Sequence, residues 1–250
     1  MSDEILVNVG PTETRAALVE NGVLQEIYIE RTQYKGYVGN IYNGKVVRVL
    51  PGMQAAFIDI GQERAGFIHA ADIAPLDEHG MENRTAEVAD IRGLLREGQS
   101  ILVQVTKDPI STKGARLTTH LSVSARYLVY MPKTQHIGIS NRIEDPDERE
   151  RLRTAVSSIT EEYADQYGGG FIVRTVAEGV SAEELKADIP FVYKLWHNLK
   201  ESIAKASVPS MIYEDLPLFM RTVRDLMRPQ IEKCALIREK RLLEWKTLLS

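Results

Sequence analysis

Apolar and polar positions alternate through the first 31 residues, which is the pattern of strands with one buried face. Three short strands are predicted there, at 5–9, 14–19 and 23–29. Asn21-Gly22 separates the second strand from the third, and this pair favours a two-residue hairpin because both positions tolerate positive φ. The chain is therefore predicted to begin with an antiparallel meander.

From residue 36 to about residue 125 the strand pattern continues with different turns. The candidate strands are 39–50, 54–60, 65–70, 100–107 and 116–123, and a short helix is predicted near 91–96. Five short strands with one small helix are typical of a partly open Greek-key barrel. We therefore predict an OB-fold β-barrel after the meander.

Beyond Pro132 the pattern predicts a mixed α+β region. Asp145-Pro146-Asp147-Glu148 has the residue order of a helix start, with Asp145 as the N-cap. The apolar residues that follow share one helical face: Leu152, Val156, Ile159 and Tyr163. The carboxylates of this segment (Asp145, Asp147, Glu148 and Glu150) favour the helix dipole, so we do not read them as a metal site.

The remaining segments complete an α+β pattern. A buried strand is predicted at 171–175, and Ser181 with Glu184 forms a capping box that begins another helix. Pro190 is expected to break or kink that helix, and a further helix is predicted at 192–206. The stretch 220–250 is predicted to be helix-rich.

Composition limits the class of protein. A chain of 250 residues with 44% hydrophobic content can form two domains or more. No apolar run reaches the length of a membrane span, and the start Met1-Ser2-Asp3-Glu4 is acidic where a secretory signal is basic. We therefore expect a soluble, cytoplasmic protein without a membrane anchor. Cys234 is the only cysteine, which excludes a disulfide framework and a multi-cysteine zinc site.

The net charge of −4 argues at first against a nucleic-acid partner, since such proteins are usually basic. The acidity is nevertheless concentrated: counted along the sequence, residues 71–90 carry −5, whereas 36–70 and 91–125 carry +1 and +3. A mildly basic surface around one acidic insertion permits nucleic-acid binding without demonstrating it.

Two phenylalanines on the predicted barrel are candidates for binding. Flat rings of Phe57 and Phe67 on one barrel face could stack bases, at roughly 1–3 kcal/mol per base. The cationic residues placed to hold the phosphates beside them are Lys45, Arg48, Arg64, Lys107 and Lys113. The alternative is that both rings fill the barrel core, as most strand phenylalanines do. Tyr42 is similar, but its hydroxyl favours an exposed or half-exposed place.

A second candidate lies at the end of the predicted buried strand. Arg174 followed by Thr175 can grip a phosphate, because the guanidinium fork matches two phosphate oxygens and the hydroxyl adds a donor. A surface salt bridge is the plainer alternative for such a pair. The pattern alone does not decide between them.

Several separate motifs resemble the ribonuclease E/G family. The motifs that carry the resemblance are Asn40-Ile41-Tyr42-x-Gly44-Lys45, Ala55-Ala56-Phe57-x-Asp59-x-Gly61 and Lys113-Gly114-Ala115-x-Leu117-Thr118-Thr119. The span 36–69 also resembles the RNA-binding OB domain named after ribosomal protein S-one. The likeness covers residues 6 to about 226, and Leu50-Pro51-Gly52-Met53 is closer to the G branch than to the E branch.

The resemblance implies an α+β multidomain architecture. An OB-fold barrel (36–125) would be inserted after an RNase H-like β-meander (1–35), and an α+β 5′-sensor domain (126–215) would follow it. Residues 216–250 would return to the RNase H-like subdomain, which the family completes further on. If so, this chain is the N-terminal portion of a longer enzyme.

By the same resemblance, two sites are expected. Phe57, Phe67 and Lys113 match the family's RNA-contacting positions, with Tyr42 and Lys45 beside them. The 5′-monophosphate sensor is matched by a second set: Arg174 and Thr175 on the phosphate, Val129 near the terminal base, and Ala125 where some members carry glycine. Asn43 and Ile60 depart from common family residues, lysine and tyrosine respectively.

The resemblance further implies a single-strand-specific endoribonuclease of RNA processing and decay, acting on rRNA precursors or mRNA. In the family, carboxylates in a later nuclease domain bind Mg²⁺, and a Cys-Pro-x-Cys link binds Zn²⁺ between subunits of a homo-oligomer. We predict no ligand site for either metal in this chain, and so no unaided hydrolysis. The alternatives are a free-standing RNA-binding regulatory protein and an assembly protein whose barrel binds a protein partner.

Overall fold

The computed structural model describes residues 3–77, 81–83, 89–111, 113–163, 168–228 and 230–238. The chain divides into two compact units, one within Met1–Gly36 and Leu216–Ser250, the other within Tyr37–Asp215. The finer domain boundaries expected at 125 and elsewhere stay predictions. No helix in the described part of the chain is long and apolar enough to cross a membrane.

The elements alternate irregularly along the chain. The described strands are β1 (Asp3–Val9), β2 (Glu13–Glu20), β3 (Val23–Arg31), β4 (Ile41–Leu50), β5 (Ala55–Asp59), β6 (Gly66–His69), β7 (Ser100–Lys107), β8 (Arg116–Thr118), β9 (Val123–Ser124), β10 (Leu128–Met131), β11 (Ile137–Ile139), β12 (Gly170–Val173), β13 (Ser210–Tyr213) and β14 (Ile231–Arg238). The described α-helices are α1 (Ile91–Leu94), α2 (Pro146–Glu162), α3 (Ala182–Lys205) and α4 (Leu218–Leu226).

The first unit contains a four-stranded sheet in the order β14-β1-β2-β3. Its first three strands form the predicted meander, in which β2 pairs antiparallel with both neighbours. Ile5, Val7, Ala16 and Leu18 are buried on one face of this sheet, and Phe219 and Leu226 of α4 pack against them. Burial of one face explains the alternation along β1 and β2, whereas the expected buried face is not present on β3, which is exposed along almost its whole length.

The helix-rich prediction for 220–250 is wrong over β14. Residues 231–238 form a strand that pairs parallel with β1 from end to end. Lys, Glu, Ala and Leu favour helices, but by less than about 1 kcal/mol per residue, and pairing with the edge of β1 outweighs that preference. The predicted helix beyond residue 238 lies outside the described residues.

The second unit contains a closed five-stranded barrel, β4-β5-β6-β8-β7, which the pairing of β4 with β7 completes. β13 extends the sheet beside the start of β4. The interior is filled by buried residues such as Val46, Ile58, Ile68, Val103 and Leu117. The OB-like barrel is therefore confirmed, although it is closed rather than partly open.

The predicted strand 116–123 ends early, at Thr118. There the hydroxyl of Thr118 donates to the Asp72 carbonyl (2.8 Å), and the Thr119 N–H donates to the same carbonyl (3.0 Å). Because these bonds turn the chain out of the barrel, Val123 belongs to β9 of the next sheet.

That next sheet has the order β11-β12-β10-β9, with β11 parallel to β12 and the other neighbours antiparallel. Helices α2 and α3 cover its inner face, and Leu152, Phe171 and Ile189 are fully buried between the layers. Both predicted helix starts are confirmed: Asp145 accepts from the Asp147 N–H, and Ser181 forms the capping box. The α+β class of this region follows from that layering.

Helix α3 continues through Pro190 as one helix, so of the predicted break or kink the break does not occur. Pro190 itself is exposed, whereas Ile189 and Val192 on either side of it are fully buried. The hydrogen bond that proline removes is therefore offset by apolar packing on the opposite side of the helix.

Gly114→Ala tests the packing beside the barrel. A Cβ at Gly114 would lie 1.9 Å from the Ala65 carbonyl oxygen, a backbone atom that cannot move alone. We expect the free energy of unfolding to fall by about 1–3 kcal/mol, as in overpacked sites. Chemical denaturation measures this. Gly52→Ala is the control, because nothing lies within 4 Å of its added Cβ; equal losses for both variants would contradict the barrel geometry.

Candidate nucleic-acid interface

Five side chains lie in register across the outer face of the barrel. Arg48 on β4 is opposite Phe57 on β5, and Phe57 is opposite Phe67 on β6. Phe67 is opposite Arg116 on β8, which in turn is opposite Lys107 on β7. Directly opposed residues project from the same face of a sheet. They form a cationic–aromatic row, with two rings in the middle and positive side chains at both ends.

The two rings lie outside the barrel core. Phe57 and Phe67 are half-buried, whereas their neighbours Ala56, Ile58 and Ile68 are fully buried. The ring centroids are 6.0 Å apart and the ring planes meet at 64°, an edge-to-face contact. The alternative that these phenylalanines fill the core is therefore wrong, because strand alternation turns them outward.

A groove of about 760 Å³ runs along the rings. The residues that line it are Met53, Phe57, Arg64, Ala65, Phe67, Lys107, Asp108, Ile110, Lys113, Gly114 and Arg116. Its size falls in the range of small-molecule pockets, and it combines an apolar floor with four cationic side chains. Arg116 and Ile110 were missed by sequence reasoning, although strand register would have found Arg116.

The acidic groups near the groove are occupied. Asp108 accepts from the backbone N–H groups of Tyr37 (2.5 Å) and Val38 (3.3 Å). Asp72 holds Arg116 through two parallel hydrogen bonds of 3.1 Å. The ammonium groups of Lys107 and Lys113 have no ion-pair partner among the described residues. The groove therefore presents net positive charge to a ligand.

Two predicted binding residues lie elsewhere. Lys45 is exposed on β4, opposite Asp59 and Ser100, and does not line the groove. Tyr42 is only 1% exposed and belongs to the barrel core. Its predicted exposed or half-exposed place is wrong because the Asn40 side-chain amide donates to its hydroxyl (3.3 Å) inside the protein. Burial raises the pKa of Tyr42, as desolvation opposes the phenolate.

The second candidate site is a cavity of about 410 Å³ beside β12. Its lining residues are Ser140, Arg142, Ile172, Val173, Arg174, Thr175 and Val176. The Thr175 and Ser140 hydroxyls are hydrogen-bonded to each other at 3.0 Å. The guanidinium of Arg174 donates through Nη1 to the carbonyl oxygens of Ala125 (3.0 Å) and Arg126 (2.8 Å). Two arginines and two hydroxyl residues therefore line this cavity, and these residue types are suited to phosphate.

The other predicted residues of this site lie around the arginine. Val129 on β10 is opposite Ile172 on β12, so both project from the outer face of the sheet, where Ile172 is 38% exposed. Ala125 contributes its carbonyl, while its methyl group is buried in the core. Arg142 was missed because it precedes α2 and no sequence spacing relates it to residue 174.

A closed OB-like barrel with half-exposed rings between cationic side chains is the architecture of oligonucleotide-binding domains. A model of the ribonuclease E/G family matches residues 122–250. The chain is 48% identical to the ribonuclease G of Salmonella typhimurium (strain SL1344), in an alignment that covers 93% of this chain and 47% of that protein. It is 49% identical to the ribonuclease G of Haemophilus influenzae (strain ATCC 51907 / DSM 11121 / KW20 / Rd), in an alignment that covers 92% of this chain and 46% of that protein.

The likeness to the E branch is lower. The chain is 38% identical to the ribonuclease E of Escherichia coli (strain K12), over 88% of this chain and 20% of that protein. The chain belongs to the ribonuclease E/G family and is closer to ribonuclease G than to ribonuclease E. It spans about half the length of the curated ribonuclease G relatives it matches.

Phe57→Ala should cost little stability, because its ring is half-buried on the barrel surface. We expect the free energy of unfolding to fall by about 1–2 kcal/mol. Phe171→Ala, at a fully buried ring of the second sheet, should cost about 3–5 kcal/mol. Denaturant unfolding of the two variants measures the difference. A larger loss at Phe57 than at Phe171 would contradict the surface placement.

Proposed function

We propose that this chain is the RNA-binding, 5′-end-recognising portion of a single-strand-specific endoribonuclease of RNA processing and decay. The observation that carries the proposal is the cationic–aromatic row. Membership of the ribonuclease E/G family supports it, because the relatives are named ribonuclease G and ribonuclease E. The substrates we propose are single-stranded segments of rRNA precursors or mRNA.

In this proposal the groove binds the RNA strand with little sequence preference. Bases stack on Phe57 and Phe67, since every base has a π-face. Lys107 and Lys113 hold phosphates on one side of the rings, where no described carboxylate neutralises them. Arg116 is held by Asp72, so it contributes a fixed rather than a mobile positive charge.

The cavity beside β12 is proposed to bind a 5′-terminal monophosphate. Arg174 is already oriented by two carbonyls, which lowers the entropy lost when it engages an anion. The Thr175 hydroxyl supplies a further donor, and Val129 with Ile172 offers an apolar surface for the terminal base. The cavity of about 410 Å³ has room for a phosphate and part of its nucleoside.

Cleavage is proposed to need the remainder of a longer protein. Family enzymes imply Mg²⁺ and an inter-subunit Zn²⁺, yet no group of three or more His, Cys, Asp or Glu side chains among the described residues could hold a metal ion. In this proposal neither metal is assigned to the described residues. A homo-oligomer of the longer protein stays a prediction.

The double substitution Phe57→Ala with Phe67→Ala tests the groove. Losing both rings should weaken binding to an unstructured RNA oligonucleotide at least tenfold, because each stacked base contributes roughly 1–3 kcal/mol. Fluorescence anisotropy at fixed salt measures the affinity. Phe191→Ala is the matched control, since that ring is 58% exposed on α3, outside the groove. Unchanged affinity in the double variant would refute the groove as the RNA site.

Arg174→Gln tests the phosphate cavity. The variant should lose the preference for a 5′-monophosphorylated RNA over the same RNA with a 5′-hydroxyl, because it loses the charge that faces the phosphate. Its affinity for the 5′-hydroxyl RNA should stay within about twofold, since the groove is intact. Arg153→Gln, an exposed arginine on α2, is the control. A preference that survives in Arg174→Gln would refute the assignment.

A further inference from the structure

The loop between β9 and β10 carries three successive peptide groups whose N–H ends converge on one side chain. Asp188 of α3 accepts hydrogen bonds from the backbone N–H groups of Tyr127 (2.6 Å) and Leu128 (3.1 Å), both at Oδ2. The backbone N–H of Arg126 also donates to this carboxylate. Successive N–H groups of an extended strand point in opposite directions, so the chain must curl here to bring three of them to one group.

The carbonyl ends of the same three peptide groups converge on Arg174. Its Nη1 donates to the carbonyl oxygens of Ala125 (3.0 Å) and Arg126 (2.8 Å). Its backbone N–H donates to the carbonyl oxygen of Tyr127 (2.8 Å). Each peptide group from Ala125 to Leu128 is thus bonded to Asp188 through its N–H and to Arg174 through its C=O.

We propose that Asp188 is a positioning residue for Arg174, and that it sets the affinity of the 5′-phosphate cavity without touching the phosphate. This inference rests on the proposed function of that cavity. Asp188 acts through the three peptide groups, which we call the peptide relay. It fixes the direction in which their carbonyls point. The carbonyls of Ala125 and Arg126 then fix the guanidinium, and that of Tyr127 fixes the backbone of Arg174.

The relay has an electrostatic component as well as a geometric one. A carboxylate that accepts from a peptide N–H polarises that peptide and makes its carbonyl oxygen a stronger acceptor. Hydrogen bonds in such chains strengthen one another by roughly 10–30% per bond in condensed phases. Arg174 is therefore held by carbonyls that carry part of the Asp188 charge, and its long side chain is ordered before a ligand arrives.

The surroundings of Asp188 fit this role. Leu185 and Ile189 of the same helix are fully buried, and Asp188 itself is half-buried. Burial raises the pKa of Asp188, whereas the three N–H bonds and the nearby Arg126 oppose that rise. The carboxylate is partly desolvated, and hydrogen bonds from one loop offset most of its lost hydration. Those bonds form only when the loop has this conformation, so they hold the loop in it.

Asp188→Asn is the test, because it keeps the shape and removes the charge. Affinities of this chain for two RNAs of identical sequence, one with a 5′-monophosphate and one with a 5′-hydroxyl, give a preference ratio. We expect the ratio to fall roughly three- to tenfold, with 5′-hydroxyl affinity unchanged within about twofold. Glu201→Gln is the matched control, since it removes an exposed carboxylate from the same helix. Asp188→Glu keeps the charge and should retain more of the preference than Asp188→Asn.

A double-mutant cycle separates positioning from a merely structural role. If Asp188 acts through Arg174, Asp188→Asn added to Arg174→Gln should leave the affinities for both RNAs within about twofold of those of the Arg174→Gln variant. A further loss of affinity in that background, or an equal loss for both RNAs in the single Asp188→Asn variant, would overturn the inference. If the wild-type chain showed no preference for a 5′ phosphate, the proposed function of the cavity would be refuted instead. A preference abolished by Arg174→Gln but intact in Asp188→Asn would reject the relay alone.

Discussion

The pairing of β4 with β7 closes the barrel, and closure fixes which side chains of every strand point outward. A shift of one residue in any strand would move its apolar set from the interior to the surface, so burial of Val46, Ile58 and Val103 enforces a single register. That register aligns Phe57 with Phe67. The cationic–aromatic row is thus a consequence of core packing, and it needs no separate mechanism to assemble.

Charge on both candidate sites is organised by fixed partners. Asp72 holds Arg116 in the groove, and Asp108 is tied to the backbone of Tyr37 and Val38. Three peptide groups link Arg174 to Asp188 beside the cavity. A side chain that is already ordered loses little entropy when a ligand binds, so part of the cost of binding is met during folding.

Features set by local pattern could be predicted from the sequence, whereas features set by tertiary pairing could not. Capping residues predicted the starts of α2 and α3. Alternation along β5 and β6 left the direction of the Phe57 and Phe67 rings open, and only the family resemblance favoured their outward placement. Tyr42 was misplaced because the strand pattern does not show that the side-chain amide of Asn40, two residues earlier, gives its hydroxyl a buried hydrogen-bond partner. The strand β14 was missed because its stability comes from pairing with β1, more than 200 residues earlier. Arg142 and Asp188 likewise come close to the cavity beside β12 only in the folded chain.

In the proposed function, the two sites read different parts of one RNA. Stacking in the groove tolerates any base, whereas the cavity beside β12 recognises only a chain end. Once the groove holds the strand, binding of the 5′ phosphate becomes intramolecular, with an effective concentration set by the length of RNA between the sites. A 5′-hydroxyl RNA keeps the contacts in the groove and loses only the binding of a 5′ phosphate in the cavity. A modest affinity in the cavity is therefore enough to distinguish the two ends, because it acts on RNA that is already bound.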